Sequence, residues 1–214
     1  MKPEFSDRFS FAYLLIFPFA HSTISKHENM LELNKIDSSW TLFLDRDGVI
    51  NHEKYKDYVY NYHEFIFYEG VPEALSVLSK KFGPIIITTN QRGIGRGLMT
   101  EADLQDIHNN MMRDVEAAGG RVDRIYYCTA DDPTHPCRKP NPGMIFQAKQ
   151  DFPVIDLQKS LIVGNNMSDM EFGRNAGIHT VFVKTTNPGQ ELPHPAIDLA
   201  FNSLPDFAKA LQQI

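Results

Sequence analysis

Phe43-Leu44-Asp45-Arg46-Asp47-Gly48-Val49 is an apolar run that delivers two carboxylates, one residue apart, onto a loop. Residues i and i+2 of an extended segment share a face, so Asp45 and Asp47 point the same way where a strand would end. Two like charges at that spacing are costly unless a proton or a cation sits between them, and hard oxygen donors suit magnesium. Gly48 permits a sharp turn and leaves room for a ligand beside the backbone. Read alone, the stretch serves equally as a strand that ends in a solvated acidic turn.

The sequence on either side decides between the two. Residues 40–44 form the first core strand. Residues 51–69 are rich in aromatic and charged side chains and read as a loop with an irregular β excursion above the strand end. Gly70-Val71-Pro72 opens a helix whose apolar face is Val71, Ala74, Leu75, Leu78 and Phe82. The β-branched run 84–90 is a buried strand, followed by the loop Gln91-Arg92-Gly93-Ile94-Gly95-Arg96-Gly97. Thr100 and Asp103 make a capping box for a helix that stops at Gly119-Gly120. A strand at 124–128, a loop, Arg138-Lys139-Pro140 and another helix follow. A strand at 160–164, a short helix, a strand at 180–183 and a terminal helix over 204–211 complete the pattern.

Alternating short apolar strands and helices predict an α/β fold, a Rossmann-like parallel sheet covered by helices on both faces. Such sheets bind ligands beyond the carboxyl ends of their strands. The polar clusters Asp45/Asp47, Thr89/Asn90 and Asn165/Asp169 all fall at such ends, and Arg138/Lys139 open a helix after a strand-end loop.

Composition narrows the function. The 214 residues suggest one domain with an appendage, 38–214 preceded by an extension over 1–37. A net charge of −6 argues against a nucleic-acid partner, because phosphate-backbone binding wants a basic footprint. Two cysteines, Cys128 and Cys137, rule out a disulfide scaffold. No apolar run is long enough to span a bilayer, and a cytoplasmic location is expected. The apolar block at 11–20 has the length of a secretory h-region, but Glu4 and Asp7 stand beside Lys2 and Arg8 in front of it. A working start at Met30 is the preferred reading, with the extension poorly ordered or loosely docked.

The strand-end groups together describe a phosphate site. Thr89 and the amides after it can bond phosphoryl oxygens, Lys139 supplies a point charge, and Arg138 supplies a planar fork. Asp45 is placed to attack phosphorus and Asp47 to exchange a proton with the leaving oxygen and the incoming water.

Asp45-Arg46-Asp47-Gly48-Val49, Thr89-Asn90-Gln91, Lys139 and Gly164-Asn165-Asn166-Met167-Ser168-Asp169 resemble the four ordered motifs of the haloacid-dehalogenase superfamily of phosphatases. The resemblance covers residues 42–184 and is closest to the branch that contains the heptose bisphosphate and histidinol-phosphate phosphatases. It implies a fold with only small loop insertions as cap. It implies Asp45 as nucleophile, Asp47 as acid and base, and Thr89 and Lys139 on the phosphoryl group. It implies Mg2+ on the Asp45 carboxylate, the Asp47 carbonyl and residue 165, and substrate contacts from Arg46, Asn90, Gln91, Arg92, Arg138 and Asn166. The implied reaction is removal of phosphate from a small phosphorylated metabolite, a heptose 1,7-bisphosphate first and histidinol phosphate second.

Two departures from the pattern stand out. The fourth motif ordinarily begins Gly-Asp, whereas here it is Gly164-Asn165, so one metal-site charge is gone. Asp169 is expected to compensate from behind the metal, and the alternative is a catalytically weakened binding protein. The zinc loop of heptose-branch relatives is reduced to Cys128, His135 and Cys137. Three ligands fall short of a structural zinc site, which favours a zinc-free loop with a buried Cys128. The remaining histidines, His108 among them, are read as surface or packing residues.

Overall fold

The protein is described from a computed structural model, which covers residues 31–213. The expectations for the segment before Met30 lie outside the described residues.

Among the described residues six strands form one wholly parallel sheet in the order β3-β2-β1-β4-β5-β6. In chain order the elements are β1 (Thr41–Leu44), α1 (Val71–Lys81), β2 (Ile85–Asn90), the single turn α2 (Arg92–Gly95) and α3 (Glu101–Ala117). Then come β3 (Arg124–Cys128), α4 (Gly143–Asp151), β4 (Ser160–Gly164), α5 (Met167–Ala176), β5 (His179–Val183), β6 (Leu199–Phe201) and α6 (Leu204–Gln212). The order reverses between β1 and its two neighbours, which opens a crevice at the carboxyl end of β1.

The strands alternate their side chains between two cores. Leu42 and Leu44, Ile85 and Ile87, and Leu161 and Val163 share one core with the apolar faces of α1, α3 and α6. Phe43, Ile86 and Ile162 face the other way, into a core with Met144, Ile145 and Ala148 of α4 and Phe172 and Ala176 of α5. Period-2 alternation and cover on both faces explain why β1, β2 and β4 read as unbroken apolar runs. Thr100 caps α3 as expected: its Oγ1 accepts from Asp103 N at 3.1 Å, and Asp103 Oδ2 accepts from Thr100 N at 2.8 Å.

Three differences from the sequence reading have physical causes. Leu31 and Ile36, at 7% and 5% exposure, are buried in the core, so the last residues of the expected 1–37 extension belong to the folded unit. Strand β6 was not anticipated. Its three residues are half-buried, and Asp198 beside them accepts from Thr180 N, which sets the pairing with β5. The 51–69 excursion is held by the isolated bridge Asn51–Phe67, a 3-10 turn at Tyr62–Glu64, and an aromatic cluster in which Phe65 stacks on Tyr62 and meets Phe67 edge-on.

Candidate active site

Strand β1 ends by handing Asp45 to a tight turn. Asp45 N donates to Val163 O at 3.0 Å, the last bond of the β1–β4 ladder, and the amides of Ile50 and Asn51 return to Arg46 O. Gly48 sits at φ +86°, and a Cβ there would lie 2.1 Å from Asn165 Nδ2, so both the turn and the neighbouring loop require glycine. Gly164 is required for a separate reason: a Cβ would lie 2.2 Å from the Cβ of Asp169.

Lys139 is the charge centre. Its Nζ donates to Asp45 Oδ1 at 2.7 Å, to Asp169 Oδ1 at 2.6 Å and to Thr88 O at 3.0 Å, with the side chain 3% exposed. Burial and the charge of Asp169 push the Asp45 carboxyl up to about 7, against the pull of Lys139. The two carboxylates hold Lys139 protonated, overcoming its burial. Asn90 clamps the backbone of Lys139 from β2, accepting from Lys139 N at 3.1 Å.

Asp47 is gripped from three sides. Arg46 Nη2 donates to both carboxylate oxygens at 2.9 Å, Asn51 Nδ2 to Oδ1 at 2.9 Å, and Gln91 Nε2 to Oδ2 at 2.9 Å. Burial alone would raise its pKa, but the charge of Arg46 and these donors outweigh it and hold the carboxyl below its usual range. Gln91 also donates to Thr89 Oγ1 at 2.8 Å, which ties the phosphate-binding hydroxyl expected on β2 to the Asp47 carboxylate.

Residue 165 faces a ring of oxygens. Asn165 is fully buried, and its Oδ1 lies 3.2 Å from Asp45 Oδ2 and 3.2 Å from Asp47 O, while Nδ2 donates to Thr186 Oγ1 at 2.7 Å. Three acceptors that converge without a donor repel one another, unless a cation lies among them. Adjacent oxygens on an octahedral Mg2+ at about 2.1 Å are about 3.0 Å apart, so this donor set fits a small hard cation. With the amide turned over, Nδ2 would donate to the same two oxygens and satisfy them without metal.

Asp45, Asp47 and Lys139 line one cleft of about 340 Å³ over the sheet's carboxyl edge together with Glu53 and Tyr58 from the excursion, while Asn165 is buried and does not line it. Asp45, Asp47, Thr89, Lys139, Arg92, Arg138 and Asn166 all reach it. At one rim Asp131 gathers three arginines: Arg96 at 2.8 Å, Arg138 at 3.6 Å and Arg92 at 3.7 Å.

Several expectations are corrected. Arg46 borders the cleft, but it is 1% exposed and its guanidinium is engaged with Asp47. Gln91, also 1% exposed, bridges Asp47 and Thr89. Asp169 holds Lys139, which in turn holds Asp45, and caps α5 by accepting from Asn166 N at 3.1 Å. Cys128 is buried but not free: it forms a disulfide with Cys137, and His135 Nδ1 lies 3.0 Å from Cys137 Sγ. The sulfurs and the imidazole fall within 4.8 Å of one another, a set of three where closed zinc sites use four. Two contributors were missed. Asn51 lies two residues beyond the quoted motif and was within reach of a sequence argument. His108, 62 residues from its partner Arg46, carried no signal.

A strand end bearing two carboxylates, with a buried lysine beside it at the switch point of a parallel sheet, is the arrangement of a phosphohydrolase of the haloacid-dehalogenase type. A family model described as HAD-hydrolase-like matches residues 136–207. Over 177 residues the chain is 33% identical to the D-glycero-alpha-D-manno-heptose-1,7-bisphosphate 7-phosphatase of Mycobacterium bovis, covering 80% of this chain and 91% of that protein. Over 186 residues it is 36% identical to the D-glycero-beta-D-manno-heptose-1,7-bisphosphate 7-phosphatase of Photorhabdus laumondii, covering 81% and 95%. The crystal structure of D,D-heptose 1,7-bisphosphate phosphatase from B. bronchiseptica, complexed with magnesium and phosphate, superposes with a TM-score of 0.74 at 30% identity, covering 81% and 98%. The chain belongs to the HAD-like phosphatase family that these heptose bisphosphate phosphatases represent. Among the described residues no helix is long and apolar enough to cross a membrane.

Proposed function

We propose that the protein is a Mg2+-dependent phosphatase, cytoplasmic, that removes the 7-phosphate of a D-glycero-D-manno-heptose 1,7-bisphosphate. The observation that carries the reading is the meeting of Asp45, Asp47 and Lys139 in one cleft, with the Asn165 amide packed against the first two, in a chain this similar to enzymes of that name. Asp45 Oδ attacks phosphorus, the bond from phosphorus to the sugar oxygen breaks with its electron pair leaving on that oxygen, and Asp47 supplies the proton. Water then attacks the aspartyl phosphate, Asp47 takes its proton, and the Asp45 carboxylate and inorganic phosphate are released. Lys139, fixed between Asp45 and Asp169, keeps a positive charge against the transferring group, and Thr89 and Asn166 line its berth. A magnesium ion held by Asp45 Oδ2, Asp47 O and Asn165 Oδ1 would supply further charge to the phosphoryl oxygens.

The rim supports a bisphosphate over histidinol phosphate. Three arginines share one aspartate, which leaves two positive charges to meet a second phosphate. Phosphate release from alpha- and beta-heptose bisphosphates, histidinol phosphate and common sugar phosphates, with Mg2+ added and then chelated, tests the reading. Turnover of histidinol phosphate alone, or turnover that survives chelation, overturns it. The orientation of the Asn165 amide favours a second reading, because the turned amide completes the site without metal. A protein that binds phosphate esters and turns over none of them would be that case.

A further inference from the structure

Arg46 is a buried cation, and its hydrogen bonds are fully directed. Nη2 donates to both oxygens of Asp47, Nε to Asp47 Oδ1 at 3.3 Å, and the ring of Phe65 lies 6.0 Å from the guanidinium carbon. The remaining nitrogen, Nη1, meets His108 Nε2 at 3.2 Å. Arginine only donates, so Nε2 is the acceptor and the ring carries its proton on Nδ1. His108 is 2% exposed on an α3 face otherwise made of Leu104, Ile107, Met111 and Val115. Burial and the adjacent Arg46 charge lower its pKa to about 3, so the ring is a neutral acceptor throughout the working pH range. A polar side chain on an apolar helix face, with its acceptor nitrogen turned to a buried cation, does more than fill space. A leucine would fill the same space without the acceptor.

We propose that His108 is a positioning residue: by accepting from Nη1 it fixes the plane of the Arg46 guanidinium, and through it the carboxylate of Asp47 that exchanges protons with leaving group and water. The inference rests on the phosphatase reading above. Arg46 follows Asp45 directly and cannot translate, but its guanidinium can rotate. With Nη1 orphaned in the interior, the lowest-cost response is a rotation toward another acceptor, which carries Asp47 with it. Misplacement of a proton donor by a fraction of an ångström is enough to slow transfer.

The test separates proton donation from general damage. The kcat/KM value reports steps up to transfer of the phosphoryl group to Asp45, where Asp47 is needed only to protonate the departing oxygen. From heptose 1,7-bisphosphate the heptose 1-phosphate departs as an alkoxide that needs this proton, and from 2,4-dinitrophenyl phosphate the dinitrophenolate departs as a stable anion that does not. For His108→Leu, kcat/KM should fall about 30-fold on the heptose ester and less than about 3-fold on the dinitrophenyl ester. His108→Gln, whose amide oxygen reaches the Nε2 position, should recover most of the loss. Equal losses on both esters, no loss on either, or a glutamine variant no better than leucine would overturn the proposal. A crystal structure of His108→Leu decides independently of turnover: Arg46 displaced from Asp47 supports the role, and Arg46 unmoved refutes it. Should the native protein hydrolyse neither ester, the phosphatase reading fails by itself, and the position of Arg46 still judges His108.

Discussion

Asn165→Asp restores a second carboxylate to the oxygen triangle, and its effect should change sign with the metal. The substituted oxygen would lie 3.2 Å from Asp45 Oδ2 in a fully buried position. Two unit charges at 3.2 Å repel by about 5 kcal/mol at an effective dielectric of about 20. At pH about 8, above the value near 7 to which Asp45 is pushed, both groups would be ionised. Part of the repulsion is relieved by Lys139, which donates to Asp45 from its other side. A destabilisation of about 2–4 kcal/mol should remain in the metal-free variant, which lowers its melting temperature by roughly 5–10 °C. With Mg2+ bound, the new charge sits about 2.1 Å from a divalent ion. Desolvation and repulsion offset most of that attraction, and a net gain of about 2 kcal/mol corresponds to a roughly 30-fold lower Kd. Calorimetric titration with Mg2+, and thermal melts with and without it, measure both effects. Equal Mg2+ affinity and equal metal-free melting in the two proteins would show that the side-chain oxygen of residue 165 does not face the cation, and the proposed metal site would fall.

The other predictions concern the same few atoms. Because Asp45 must be ionised to hold Mg2+ and its carboxyl is raised to about 7, protons compete below that pH: the apparent Kd should rise by up to about tenfold per pH unit below it and be flat above. Titrations in buffers of different ionisation enthalpy should count close to one proton released near pH 6, and no release there would contradict the assignment. Asp45→Asn should reduce turnover by more than about 10⁴-fold while leaving the circular dichroism spectrum unchanged. Unchanged turnover would refute the covalent step. Lys139→Met leaves Asp45 and Asp169 as buried like charges, so it should destabilise the fold by about 3–5 kcal/mol as well as slow single-turnover transfer. A normal single-turnover rate would remove Lys139 from the reaction.

What the sequence disclosed and what it withheld divide along physical lines. Asp45 and Asp47 were legible because i,i+2 geometry is local, and β1, β2 and β4 because cover on both faces makes a strand continuously apolar. The capping box of α3 was legible because its two bonds close within four residues. Strand β6 was not, since Leu199-Ala200-Phe201 lies at the sheet edge and its pairing is set by Asp198 bonding back to Thr180. The inward turn of Arg46 was likewise hidden. An arginine between two active-site aspartates reads as a hand for substrate until His108, far along the chain, is seen to accept from it. The roles of Gln91 and Asp169 shifted for the same reason: the sequence names a donor or a carboxylate, but only the fold says which partner is nearest.

The neutral residue at 165 alters what the site prefers to hold. Around the oxygen triangle four carboxylates, Asp45, Asp47, Asp169 and Glu53, face two cations, Lys139 and Arg46, which leaves two net negative charges. A divalent ion would bring that balance to neutral. An aspartate at 165 would leave the loaded site with one net negative charge. On the metal reading the amide would weaken the hold on a bare cation and lessen the repulsion of the loaded site for a phosphoryl dianion. By linkage each ligand should then raise the affinity for the other, and more so here than in a site with aspartate. Thr186 Oγ1, 2.7 Å from the Asn165 amide, serves it in either orientation, so a bound cation is what would keep the amide oxygen turned to the triangle. On the metal reading such a site would bind metal and phosphate as a pair, and the amide that looks like a lost ligand would be the group that couples them.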